Sequence, residues 1–445
     1  MLARLDLSGA GPMLQSSFAV ATAAQASLAA AALAAATLGE ARNGVAQRVA
    51  VDRADAAAEC TGRFRIDGRS PELWDPIAGL YACGDVGRGG WVRLHTNFAH
   101  HRDGVLRLLD LPVDSGVDRA AVAAALLRWS ALEFEAAASA AGLVVAAARS
   151  SDTWRAHPQY ACEAAPPLIE IERIGDAPAR AWPALAEDAL PLHGLRVLDL
   201  TRILAGPVAG RTLAHYGADV LLVNAPHLPN IAAIADTSRG KRSALADLRN
   251  PADRAVFDAA LREAHVMVQG YRPGGLDALA LGPAAAAELR PGLVYVTLSA
   301  YSPGGPWASR RGFDSLVQTA TGFNIDEGAA RAKPSPTALP LPILDMASAF
   351  FLALGTQAAL LRQQREGGSW HVRIALARTG LWLRSLGRVA DPQEAAALDV
   401  DAYLRTEPSG FGELACVPHA ARFARTPIGR LRPAVAPGTD PLRWK

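Results

Sequence analysis

The chain has 445 residues, half of them hydrophobic, which is enough for two or three domains around a large buried core. A formal net charge of +2, with arginine far outnumbering lysine, provides no basic field of the strength that DNA, RNA or a membrane surface would require, and leaves a small anionic ligand open. Four cysteines, Cys60, Cys83, Cys162 and Cys416, stand far apart without metal or disulfide spacing, so a reducing cytoplasm is the expected compartment.

Residues 16–59 read as an Ala-rich helix, a polar turn at Arg42-Asn43-Gly44, an alternating strand from Gln47 to Val51 and a further helix. The stretch from Phe18 to Leu38 could pass for a signal or membrane segment, but Thr22, Gln25 and Ser27 interrupt it and no basic leader or cleavage pattern accompanies it. A buried helix is the expectation. Residues 60–112 are turn-rich, punctuated by Gly84, Gly87, Gly89 and Gly90, with WVRLHTNF as a strand candidate in a separate small domain. His95, His100 and His101 cluster in HTNFAHHRDG, yet no carboxylate or cysteine lies at a ligand spacing, so structural or surface roles are expected and no metal. Residues 118–148 read as an Ala-rich helical pair. Pro166, Pro167, Pro178 and Pro183 then mark an extended connector. The predicted divisions are 1–59, a small α+β domain over 60–165, a connector over 166–190, a Rossmann-like domain over 191–390 and a tail over 391–445.

From Leu192 to Asn224 the chain spells a βαβ unit. Leu195, Val197, Leu198 and Leu200 make the first strand, Gly206-Pro207 opens the helix, Gly217 closes it, and Val220 to Val223 form the second strand. Only Gly206 and Gly210 are available for a dinucleotide fingerprint and Asn224 stands where its acid belongs, which sets nicotinamide binding aside. Val266 to Gln269 and Leu293 to Leu298 extend the pattern to a parallel α/β sheet of at least four strands. The helix from Leu344 to about Leu361, the turn at Glu366-Gly367-Gly368, the strand from Trp370 and the helix from Thr379 repeat the pattern of residues 16–59.

Two post-strand turns could hold an adenine ring and phosphates. DTSRGKRS sets Arg239, Lys241 and Arg242 around Gly240, and QGYRPGG supplies Gly270, Tyr271 and Arg272; solvated basic turns are the bland alternative. Asp345 opens an almost wholly apolar helix. It either caps that helix or serves as a carboxylate nucleophile, which an ordinary pKa of about 3.9 would leave ionised at neutral pH.

VLDLTRILAGPVAGRTLAHYGADV, DTSRGKRSALADL, VQGYRPGGLDAL, RPGLVYVTLSAYSPGGPW, RRGFDSLVQTATG and the Asp345 helix, in that order and spacing, resemble family III coenzyme A transferases of the CaiB/BaiF kind. The resemblance covers Leu192 to about Leu386; residues 16–185 and the tail resemble the rear of the same family, as in two fused copies with complementary losses and permuted order. It implies an acyl-CoA donor, a small carboxylic acid acceptor, no permanently bound cofactor, a homodimer, and an aspartyl anhydride and thioester formed on Asp345. Thr22 matches that position in the first copy. Arg202, Leu204, Ala205, Arg239, Lys241, Gly270, Tyr271 and Arg272 would line the CoA site, although Asn224-Ala225 and Ala278 stand where relatives often carry acid and arginine. A related α-methylacyl-CoA racemase would need a histidine where Phe313 stands. A non-catalytic CoA-binding protein is the reading from another class.

Overall fold

A seven-stranded sheet carries the site. Its strands lie in the order 242–245, 219–224, 196–200, 266–269, 294–299, 369–375 and 170–175, all parallel except the last, which runs antiparallel to 369–375. The structure, a computed structural model, describes residues 2–11, 13–84, 89–113, 116–390, 392, 395, 398–429 and 431–445. Gly87 lies outside them.

Each strand alternates its side chains between the two faces, and both faces are covered. Val197, Val220, Val266, Val294 and Val372 point into one core, built by the helices Ala205–His215 and Ile343–Glu366. Leu198, Leu221, Met267 and Tyr295 point into the other, with Phe257 and Leu261 of the helix Pro251–Glu263 and with Trp444 from the tail. The chain steps outward from 196–200 to 219–224 and 242–245, then returns to the other side of 196–200 for 266–269. The crevice beyond Leu200 and Gln269 is therefore the topological switch point, where such sheets receive ligands.

The helix Val20–Asn43 packs along Ile343–Glu366, and both are 24 residues long. Each is apolar enough to cross a membrane, and each is mostly buried inside the protein, alanine allowing the close approach. A strand and a helix follow each of them, Val49–Asp52 then Arg53–Cys60, and Ser369–Ala375 then Leu376–Ser385. The strand Val49–Asp52 nevertheless joins a separate sheet, between Leu5–Ser8 and Ala421–Phe423.

A smaller unit stands beside the sheet. Gly79–Ala82, Trp91–Leu94 and Val145–Ala147 pair antiparallel, and the helices Ala99–Leu108, Arg119–Leu126 and Ala131–Ala140 cover them through Val105, Leu106, Leu126 and Phe134. The end of the stretch expected to be a helical pair is thus a strand. Phe64–Ile66, at the front of this region, pairs instead with Gly412–Cys416 of the tail. Two sheet members escape the sequence pattern. Arg242–Leu245 was expected as a basic turn; Arg242 is held by Asp219 at 2.9 Å instead. Glu170–Gly175 lies within the Pro-rich connector, where Glu170 and Glu172 bind Arg373 of the neighbouring strand at 3.0 and 2.8 Å. Ser369–Ala375 is the strand that the alternation from Trp370 predicts, and it lies beside 294–299 in this sheet.

Candidate active site

A cavity of about 760 Å³ opens at the carboxyl edge of the sheet. Arg202, Leu204 and Ala205 reach it from the turn after 196–200, Gly270, Tyr271 and Arg272 from the turn after 266–269, and Asp345 from the start of its helix. The turn at Ile203 is strained, with φ at +78°, which a β-branched residue rarely adopts. It leads directly into the helix Ala205–His215, whose first amides have no partner within the helix and favour an anion. Arg202 donates to the Pro229 carbonyl and lies 5.6 Å from the Phe98 ring. Burial lowers its pKa, and burial raises that of the Tyr271 hydroxyl.

Arg239 and Lys241, expected in the CoA site, are not among the lining residues. Lys241 is fully buried, donating to Asp199 Oδ2 and the Pro207 carbonyl, each at 2.7 Å. Arg239 is buried against Asp236 at 2.8 Å and the Val417 carbonyl at 3.0 Å. Both charges are neutralised inside the fold, because a buried cation without a partner would be far costlier than one in water. Gly210 belongs to the same arrangement: a Cβ there would stand 2.2 Å from Asp199 Oδ2, so this glycine brings helix and strand together and approaches no phosphate.

Asp345 is partly exposed, bordering the cavity. It does not cap its helix. The backbone N–H groups of Leu344 and Asp345 are taken by the Asp314 carboxylate, which lies 2.9 Å from the Asp345 nitrogen and also accepts from Gln318 Nε2. Burial and this second carboxylate raise the Asp345 pKa well above the ordinary carboxylate range, while burial lifts Asp314 to about 6. The expectation of a freely ionised carboxylate therefore fails: the two acids hold protons more tightly than either would alone. The amide donors and Arg93 favour the ionised form at Asp314, so the retained proton belongs mainly to Asp345.

The small unit supplies lining that sequence reasoning did not place. Phe98, His100 and His101 border the cavity, opposite Arg310, Arg311, Gly312 and Phe313. His95 is buried and stacks on Phe313 at 3.8 Å and 10°; it is not a lining residue, and burial holds its pKa down at about 3. His227, Asp247 and Arg249 line the far end, following 219–224 and 242–245, and their place after a strand was the available signal. Among the described residues no group of three or more His, Cys, Asp or Glu is disposed to hold a metal ion.

Residues 192–390 match the family described as CoA-transferase family III. An acyl-CoA transferase of Gibberella moniliformis is 32% identical over 326 residues, 69% of this chain and 56% of that protein. A probable fatty acyl-CoA transferase of Mycobacterium tuberculosis is 34% identical over 42% of this chain and 51% of its own length. A succinate–glutarate CoA-transferase of Agrobacterium fabrum is 32% identical over 42% and 51%. The chain thus spans about half the length of these curated relatives. Over residues 192–390, with six motifs in family order and an aspartate-led helix at the cavity, the chain matches CoA-transferase family III.

Proposed function

We propose that the protein moves coenzyme A from an acyl-CoA thioester to a carboxylic acid, with Asp345 as the covalent nucleophile. The observation that carries this reading is the position of Asp345: a carboxyl group on a buried apolar helix, open to a cavity shared with the turns at 202–205 and 270–272. The ionised carboxylate attacks the thioester carbonyl carbon, the C–S bond breaks, and CoA leaves as thiolate with the bonding pair. Thiols ionise near pH 8.5, so this is a good leaving group. The thiolate then attacks the Asp345 carbonyl of the mixed anhydride, releasing the donor acid as carboxylate and leaving an aspartyl thioester. The acceptor carboxylate repeats the first step on that thioester, and returning thiolate releases the new acyl-CoA and free Asp345.

Sheet geometry supports the assignment of ends. Leu298 and Ser299 of the 294–299 strand border the same cavity as Asp345, and four strand spacings, roughly 19 Å at about 4.8 Å each, separate that strand from 242–245. That suits an extended ligand with its thioester at Asp345 and its nucleotide near Tyr271 and Arg249. The four cysteines carry no disulfide, which fits action in a reducing cytoplasm. The family resemblance implies a homodimer, and sedimentation of the purified chain tests it. The paired 24-residue helices support an origin in two fused copies with one nucleophile, since Thr22 in the first copy is exposed.

The test is incubation with a panel of acyl-CoA thioesters, hydroxylamine trapping and peptide mapping. Modification at Asp345, absent from Asp345→Ala, is the expected result. No capture with any thioester would leave a CoA-binding protein, and α-proton exchange without capture would replace transfer by racemisation.

A further inference from the structure

The wall of the cavity beside Asp345 has unused binding capacity. His101 is 5% exposed and borders the cavity, and neither of its ring nitrogens has a hydrogen-bond partner. Buried polar atoms of this kind are normally satisfied, so two unpartnered imidazole nitrogens beside a cavity point to ligand atoms. Burial, His100 and Arg311 hold the His101 pKa down at about 4, leaving a neutral ring able to donate one hydrogen bond. The His100 ring lies 4.1 Å from it. Arg311 completes the cluster. Its neighbour Arg310 is occupied by Glu135 at 2.8 Å and the Val145 carbonyl at 3.0 Å, whereas the Arg311 guanidinium has no carboxylate or carbonyl partner among the described residues.

This cluster adjoins the reacting carboxyl group and not the far end. Phe98 stacks against Phe313 at 6.4 Å, and the His101 ring meets Phe98 at 5.9 Å. Phe313 precedes Asp314, the residue that holds the Asp345 amide at 2.9 Å. A thioester carbonyl at Asp345 would thus place its acyl chain, or the acceptor acid that replaces it, within reach of one unpaired cation and two imidazoles. A purely aliphatic chain would leave the buried His101 nitrogens without partners and offer no counter-charge to Arg311.

We propose that Arg311, His101 and His100 bind a second carboxylate on the acyl group, so that the protein acts on CoA thioesters of dicarboxylic acids. This rests on the CoA reading of the cavity. One charge-assisted pair of this kind changes affinity about tenfold.

The experiment compares glutaryl-CoA with pentanoyl-CoA, which share the CoA moiety and five acyl carbons, by calorimetric titration of the intact protein. Glutaryl-CoA is expected to bind about tenfold tighter, with the ratio falling to within twofold of one in both Arg311→Gln and His101→Phe. Equal affinities in the unmodified protein overturn the proposal. So does a ratio that survives in Arg311→Gln while both affinities fall alike, which would assign Arg311 to the CoA phosphates. Failure of both thioesters to bind removes the CoA reading itself and is distinguished from the other outcomes by the silent pentanoyl-CoA titration.

Discussion

Replacing Asp314 by asparagine removes one charge from the carboxyl pair and keeps an oxygen to accept the Leu344 and Asp345 amides. The Asp314 oxygen is 2.9 Å from the Asp345 nitrogen, a contact compatible with a separation of roughly 5 Å between the two carboxyl carbons. At an effective dielectric constant of about 20, two unit charges at that separation repel by about 3 kcal/mol, roughly a hundredfold in the ease of ionising the second of them. The acylation rate at limiting acyl-CoA, followed by hydroxylamine trapping from about pH 5 to 9, rises in the unmodified protein as the pair loses its last proton. In Asp314→Asn the rising limb is expected about two units lower. An unchanged limb, or one displaced upward, would refute the coupling. Stability gives an independent check with a defined sign. Both carboxyls bind protons more tightly folded than unfolded, so their contribution is present below about pH 4 and is lost as pH climbs through about 6 for Asp314 and higher for Asp345. Asp314→Asn is therefore expected to raise Tm, relative to the unmodified protein, more at pH 8 than at pH 4.

Lys241→Met strands the fully buried Asp199 carboxylate and is expected to cost about 3–5 kcal/mol in urea unfolding, largely recovered by adding Asp199→Asn. An effect confined to CoA affinity would return Lys241 to the binding site. Gly210→Ala forces a methyl onto Asp199 Oδ2 and is expected to cost about 1–3 kcal/mol by the same measurement, with CoA affinity preserved in the fraction that folds. Tyr271→Ala is expected to weaken CoA binding by roughly tenfold, the loss of one base-stacking contact, without moving Tm by more than about 3 °C.

The parts legible in the sequence are those set by short-range pattern. The strands at 196–200, 219–224 and 266–269, and the turns that follow the first and third, come from apolar runs ended by Gly, Pro or polar residues, and the structure places those turns at the cavity. What escaped depends on partners distant in sequence. Arg239 and Lys241 bracket a glycine as phosphate-binding residues would, and only Asp199, on another strand, reveals Lys241 as interior. His101 looks like a surface histidine until the small unit folds and sets Phe98 against Phe313, more than two hundred residues away. The Asp345 helix is evident from its apolar run, but its cap is supplied by Asp314 on a different helix, so neither the cap nor the shared proton has a local signature.

One buried cluster ties together segments that the chain makes at very different times. Arg211, on the helix leading from the switch-point turn, binds Asp236 and also reaches Glu59 at 3.1 Å, while Glu59 accepts from the Ala420 amide at 2.9 Å and lies 3.0 Å from His419. Glu59 leaves the ribosome 360 residues ahead of His419. Until residue 420 has emerged, the guanidinium and the early carboxylate lack part of the lattice that keeps them dry, so the nascent chain has to shelter an incompletely satisfied cluster until then. Truncation before His419 would leave that interior open, making the segment around His419 and Ala420 a condition for the one around Glu59 to settle.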